Sequence, residues 1–177
     1  MTFRDIAVHL DDSVRCPARL EIALELARLY FATVTGVYAQ WEVSNPEAAQ
    51  ARFEAAVNAA GDNGQWTPPS PGDDDRLALH VTTAASCADL MIMGQPAADR
   101  PLVPLDLVEH VLLHSGRPVL VIPYAGTFET IGRRPLIAWN GGRESARALH
   151  DALPLMNHAK QARLVMIENG RQSIEEG

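Results

Sequence analysis

The sequence predicts a doubly wound α/β fold. Three observations point to it. Short apolar runs without polar alternation stand at 5–10, 33–39, 90–93 and 118–123; the segments between them repeat apolar residues at helical spacing; and turn residues punctuate the junctions. Strands that are apolar throughout belong to a parallel sheet covered on both faces, and right-handed crossovers wind such a sheet in both directions.

Taken in order, residues 5–10 (DIAVHL) are a buried strand and Asp11-Asp12-Ser13 a turn. Pro17 opens a helix, since proline is tolerated in a first turn, and Leu20, Ala23, Leu24, Ala27 and Tyr30 carry its apolar stripe. The β-branched run 33–39 (TVTGVYA) is a second strand. Asn45-Pro46-Glu47 starts a second helix that ends near Ala60, before Gly61. Residues 66–71 alternate like a strand but hold prolines, so an edge strand is expected there. A helix follows over 73–88, then the strand Leu90–Met93 ending at Gly94. After it come an irregular loop to Pro104, a helix over 106–115 stopped by Gly116, and the strand 118–123. Val8, Ile6, Ile92, Val119, Leu120 and Val121 are the expected centre of the core. Ligands of such sheets sit beyond the carboxyl ends of the strands, where strand order reverses. Here those ends are Asp11–Ser13 and the residues from Gly94 onward.

Residues 125–134 read as a linker, and the pattern then restarts. A strand at 136–139, a turn at 140–142, a helix over 145–155 and a strand over 162–167 repeat the opening of the chain. IAVHLDDSVRCPARLEIAL and LIAWNGGRESARALHDAL are both strand, polar turn and amphipathic helix, an internal repeat at a spacing of roughly 130 residues. The expected organisation is a domain over 1–124, the linker, and the first β-α-β unit of a second, incomplete copy over 135–177. Residues 170–177 are polar and expected to fray.

Hydrophobic residues make up 47% of the 177 and charged residues 21%, an ordinary globular composition. The formal charge of −7 argues against nucleic acid and against an anionic membrane, both of which select Lys and Arg. Cys16 and Cys87 form no CxxC pair and read as reduced thiols. Met1–Asp5 runs straight into an apolar strand with no signal-peptide pattern, and no apolar run could span a bilayer, so a cytoplasmic location is expected.

ADLMIMG, a loop, then LVEHVLLHSGRPVLVIP resembles the closing half of a universal stress protein domain. LDDS resembles that family's V-D-G-S turn, and RPLIAWNGGRESARALHDALPLM the start of the second domain in its tandem members. The resemblance covers nearly the whole chain and implies a five-stranded parallel sheet of order 3-2-1-4-5, Rossmann-like and of the adenine nucleotide α-hydrolase-like type, usually paired as a dimer. Some members bind ATP through a G-x-x-G loop closed by Gly-Ser/Thr, whose backbone N–H groups approach phosphate oxygens, while an acidic residue after the first strand meets the adenine end.

On that resemblance the nucleotide-site residues are Asp11, Ser13, Gly94 and Ala97. Gly94 matches the first glycine, but Ala97 stands at the second, and Leu105-Asp106 stands in place of Gly-Ser/Thr. Asp12, Asp99 and Asp106 add negative charge, with Arg100 opposing it, and Pro96, Pro101 and Pro104 remove backbone donors. The site reads as degenerate: no cofactor is expected, and ATP, where it binds at all, binds weakly. Asp11 and Ser13 also read as turn or helix-capping groups.

No metal site is expected. His9 reads as a satisfied core histidine, and His110 with His114 as a pair on a solvated face. No Ser-His-Asp constellation assembles. The expected function is a non-enzymatic stress-response or regulatory interaction module, the alternative an ATP-binding, slowly hydrolysing switch. A homodimer through 118–123 and 135–168 is expected, because one β-α-β unit cannot bury both faces of its strands.

Overall fold

The computed structural model describes all residues except 1, 43, 44, 70–72, 98, 100, 129, 169, 170 and 177, and from 167 onward it describes the backbone alone. Contacts divide the chain into two compact units, 2–125 and 126–177.

The first unit holds β1 (Asp5–Leu10), α1 (Cys16–Tyr30), β2 (Thr33–Tyr38), α2 (Pro46–Ala60), β3 (Gly64–Thr67), α3 (Asp74–Cys87), β4 (Leu90–Gly94), α4 (Leu107–His114) and β5 (Val119–Ile122). The five strands form one sheet of order β3-β2-β1-β4-β5, every pair parallel. Strand β1 sits at the centre, with Val8 paired to Gly36 on one side and Ile92 on the other. Ile6, Val8 and Ile92 are fully buried, as expected.

The rest of the expected core needs correction. Val119 and Leu120 are only half-buried, and Val121 is 40% exposed. Strand β5 pairs with β4 alone and ends the sheet, so it lacks the second neighbour that buries β1 and β4. The edge strand expected at 66–71 is β3 at Gly64–Thr67 instead. Pro68 and Pro69 cannot donate to the β2 ladder, so pairing stops before them; Pro71 lies outside the described residues. Upstream, glycine fits the close packing at 64, where a Cβ would meet Val57 of α2 at 2.8 Å.

One face of the sheet carries α1 and α2, the other α3 and α4. A cluster on the second face joins Ala7, Val37, Met91 and Met93 of the strands to Val81 and Val111 of the helices. Helix α3 begins at Asp73, whose carboxylate accepts from the Arg76 N–H at 3.1 Å, and α2 begins at Asn45, which accepts from Ala48 N–H at 3.0 Å.

The second unit holds β6 (Leu136–Trp139), α5 (Arg143–Ala152), β7 (Arg163–Glu168) and β8 (Arg171–Glu176). Helix α5 stops at Ala152 rather than 155, and a 3-10 turn covers Leu153–Met156. Pro154 has no N–H to continue the α-helical ladder. Strands β6 and β7 are parallel, as the β-α-β pattern requires, but β7 then pairs antiparallel with β8. The expectation of a frayed 170–177 is thus corrected for 171–176, while residues 170 and 177 lie outside the described residues. Strand β7 offers an open edge, and the ladder from Arg163↔Glu176 to Glu168↔Arg171 outweighs the polarity of RQSIEE. Leu136 is 68% exposed and no residue of α5 is buried.

Candidate functional site

The site is built where β1, β2 and β4 end. Asp11 follows β1 and is buried. Its Oδ1 accepts from the Ser13 N–H at 3.0 Å and the Ser13 hydroxyl at 2.5 Å, closing a turn. The same oxygen pairs at 2.6 Å with Nη2 of Arg19, whose side chain is 4% exposed. Arg19 also donates from Nε to the His9 carbonyl at 3.1 Å. An arginine on the inner face of a helix is almost never buried without such partners.

The guanidinium of Arg19 lies against Gly94. A Cβ at Gly94 would collide with its Nη1, so glycine is required here to admit arginine. Of the residues matched to a nucleotide site, Asp11, Ser13 and Gly94 are therefore brought together, but around Arg19. Ala97 sits half-buried further along the loop. Ser13 does not cap α1, whose N-cap is Arg15 without a side-chain hydrogen bond.

The loop between β4 and α4 is folded down over the strand ends. Trp41 N–H donates to the Leu102 carbonyl at 3.0 Å, its indole N–H donates to Asp74, and Val103 is buried in the core. Asp106 stands at the N-cap of α4, exposed and without a capping bond, beside Leu105, which is 58% exposed. Arg100, expected to oppose Asp99, lies outside the described residues.

Asp12 anchors a second network. Its Oδ2 accepts from the Tyr38 hydroxyl at 2.9 Å and the Gln40 amide at 2.8 Å, and Arg52 of α2 pairs with its Oδ1 at 3.1 Å. Gln40 in turn accepts from the Asp12 N–H at 2.8 Å. Burial, followed by the bond to Asp12, pushes the Tyr38 phenol well above its usual range, so it stays a donor. A cavity of about 590 Å³ opens beside this network between α1 and α2, with Leu20, Leu24, Ala49 and Phe53 on its walls.

The titration of this region sets a pH dependence. Burial first, then the Arg19 charge, lower the His9 pKa below 6.5 and keep the ring neutral, outweighing the Asp11 charge and the 2.7 Å hydrogen bond with the Ala39 carbonyl, both of which raise it. Burial opposes the Asp11 carboxylate, but His9, Arg19 and Ser13 outweigh it and its pKa is lowered. His80 is lowered too, by burial. Below 6.5 the unfolded chain takes up protons that the folded histidines refuse, so their contribution is complete above that pH and is lost on acidification. The Asp11 contribution is present above the ordinary carboxylate pKa and is lost as pH falls through its folded value. Urea unfolding is expected to show stability falling from about pH 7 to pH 5 and again below about pH 4, with His9→Asn flattening the first stage. A flat profile down to the carboxylate range would contradict a neutral buried His9.

Arg19, Tyr38, Gln40, Trp41 and Arg52 were not singled out from sequence. Arg19 carried a legible signal: it lies on the stripe of Ile22, Ala23, Leu26 and Ala27, all buried. The internal repeat also sets it opposite Ala148 when Asp11 is matched to Asn140. Burial raises the Cys16 thiol pKa, which leaves it a poor nucleophile. Among the described residues no group of His, Cys, Asp or Glu could hold a metal ion, and no helix is long and apolar enough to cross a membrane.

Comparison with solved structures places this architecture. A putative universal stress protein from Pseudomonas aeruginosa UCBPP-PA14 superposes with a TM-score of 0.66 at 19% identity, over 94% of this chain and 61% of its own. One from Archaeoglobus fulgidus DSM 4304 gives 0.65 at 17% identity, over 93% of this chain and 68% of its own. This is the universal stress protein fold. A further universal stress protein, solved in complex with cAMP, gives 0.54 at 19% identity, over 71% of this chain and 100% of its own. No protein-family model matches the sequence, and no curated protein does. In the universal stress protein fold of this chain, the strand order is the one the resemblance implied.

Proposed function

We propose that this chain is a universal stress protein that acts as a non-enzymatic interaction or regulatory module, its nucleotide site closed by its own side chains. The observation that carries this reading is Arg19 on Gly94. Close approach of a phosphate to a glycine backbone needs the space above that glycine, and here a buried, paired guanidinium fills it. The tie between Trp41 and Leu102, the carboxylate of Asp106 and the prolines of the loop act in the same direction. The competing reading, an ATP-binding switch, draws on the cAMP complex of a protein with this fold and on the position of Asp11.

Calorimetry with ATP and Mg²⁺, and separately with cAMP, decides between them. The expected result is no saturable heat at micromolar nucleotide; tight binding, or nucleotide retained through purification, favours the switch. The triple variant Ala97→Gly, Leu105→Gly, Asp106→Ser is expected to recover little, since Arg19 still covers Gly94. Adding Arg19→Ala, which matches Ala148 at the equivalent position of α5 in the repeat, is expected to raise affinity roughly tenfold or more, the scale of one charge-assisted contact.

Residues 135–177 are read as the opening of a second domain, and the alignments that run through 93% and 94% of this chain onto longer proteins support this. The same reading includes a homodimer through 118–123 and 135–168. Strand β5 is an open edge, and Leu136, Ala138 and Val121 are exposed apolar groups on the segments concerned; the side chain of Ile167, also expected there, lies outside the described residues. Sedimentation equilibrium at micromolar concentration is expected to report a dimer, and Val121→Lys with Leu136→Lys to shift it to monomer. A wild-type monomer under those conditions removes the proposal.

A further inference from the structure

The chain's cations are unevenly placed. Residues 1–125 carry eight basic and sixteen acidic side chains, whereas residues 126–177 carry seven and six. Four of those seven converge. Arg133 and Arg134 lead into β6, Lys160 leads into β7, and Arg163 opens β7. The two strands are parallel, so both basic segments arrive at the same end of the sheet. Backbone bonds hold them side by side: the Lys160 N–H donates to the Arg133 carbonyl at 2.8 Å and the Arg163 N–H to the Pro135 carbonyl at 3.0 Å. Like charges brought this close repel one another, and an anion between them removes the repulsion.

A cavity of about 320 Å³ opens at this place, a volume at the small end of small-molecule sites. Five residues line it. Arg134, Gln161 and Arg163 supply its polar groups, and Pro135 and Leu136 its apolar wall. Arg134, Leu136, Gln161 and Arg163 are all exposed, so a ligand can reach them. Both charged groups in the lining are cations. Glu176 stands opposite Arg163 in the β7–β8 ladder, on the side away from β6. A guanidinium offers five N–H donors in a planar fork, so Arg163 can face a carboxylate with one edge and a ligand with another.

The lining selects the class of ligand. A cation is repelled here, and a neutral molecule gains nothing from the two guanidiniums. A long polyanion meets the formal charge of −7 on the whole chain, which opposes it. A small phosphate ester avoids that opposition. It brings nearly two negative charges at pH 7 and three acceptor oxygens, the arrangement that arginine forks meet best. We propose that the cavity at the amino ends of β6 and β7 binds a small phosphate monoester, its phosphoryl oxygens bridging Arg134 and Arg163, with Gln161 as a further donor and the carbon body against Pro135 and Leu136. The Asn140–Gly142 turn follows the carboxyl end of β6, so this site lies at the opposite end of the strand from the crevice where such sheets ordinarily take ligands. It does not depend on whether nucleotide binds beside Asp11.

The test uses the full chain with glycerol 3-phosphate and phenyl phosphate as probes and glycerol and phenol as their neutral controls. A single-stranded oligonucleotide and vesicles of anionic lipid serve as polyanions. Binding is followed by NMR of backbone amides and arginine Nε–H groups. The probes carry no base, and shifts here are read separately from shifts at Asp11, Ser13 and Gly94. Expected are saturable shifts on Arg134, Leu136, Gln161 and Arg163 at millimolar probe or below, weakening as salt is added. Arg134→Gln and Arg163→Gln are each expected to weaken binding roughly tenfold. Arg134 precedes β6, so its variant keeps the strand ladder should Arg163→Gln fail to fold. Arg147→Gln removes the same charge from the same unit, where it pairs with Asp151, and is expected to leave affinity unchanged. No saturable response, an equal response to the neutral controls, tighter binding of either polyanion at equal phosphate concentration, or equal weakening by Arg147→Gln would overturn the proposal.

Discussion

Arg19→Ala is expected to destabilise the 2–125 unit by about 3–5 kcal/mol, the cost of leaving one member of a buried ion pair alone. Both side chains are nearly sealed, Arg19 at 4% and Asp11 at 7% exposure, so solvent does not replace the lost partner. The variant also frees the His9 carbonyl and opens a void over Gly94. Arg19→Lys is expected to recover only part of the loss, because a single ammonium cannot reproduce the planar fork that meets Asp11 and the His9 carbonyl together. The decisive measurement is a double-mutant cycle by urea unfolding. Asp11→Asn added to Arg19→Met should restore much of the stability, giving a coupling well above 1 kcal/mol. Costs that simply add would mean the two groups act independently, and the plug over the strand ends would lose its physical basis.

The largest effect is expected at the centre of the sheet. Val8→Asp should abolish cooperative folding of the first unit. Val8 is wholly buried between Gly36 and Ile92, and an unpaired carboxylate there costs several kcal/mol against a total stability of ~5–15 kcal/mol. The network around Asp11 offers no rescue, since its one cation is committed. Far-UV circular dichroism with chemical unfolding is the direct check, and a soluble variant with a sharp transition would show that β1 is not the central strand. Val121→Asp is the contrast: at 40% exposure on the edge strand it should cost far less.

The sequence by itself determined the parallel sheet, its covered faces and the place where a site would form. Runs such as IAVHL and LMIM have no polar alternation, so they must be buried on both sides, and that burial forces helices between them and strand ends into a common crevice. Asp11, Ser13 and Gly94 were legible for that reason: each stands at the carboxyl end of a buried strand. The composition of the loop after Gly94 was legible too. Strand pairing at the margins was less so. Residues 64–67 and 66–71 are both credible strands until the β2 ladder demands N–H groups that Pro68 and Pro69 lack, and RQSIEE looks frayed until β7 presents an open edge. Only the tertiary structure decided what occupies the strand-end site. Arg19 is ten residues from His9 and eight from Asp11, but what brings it to both, and onto Gly94 some seventy-five residues away, is the packing of α1 across β1 and β4. A sequence records that an arginine falls on a buried stripe; which carboxylate satisfies it, and which glycine makes room for it, are consequences of helix-on-sheet packing, in which each side chain's environment is supplied by segments remote in the chain.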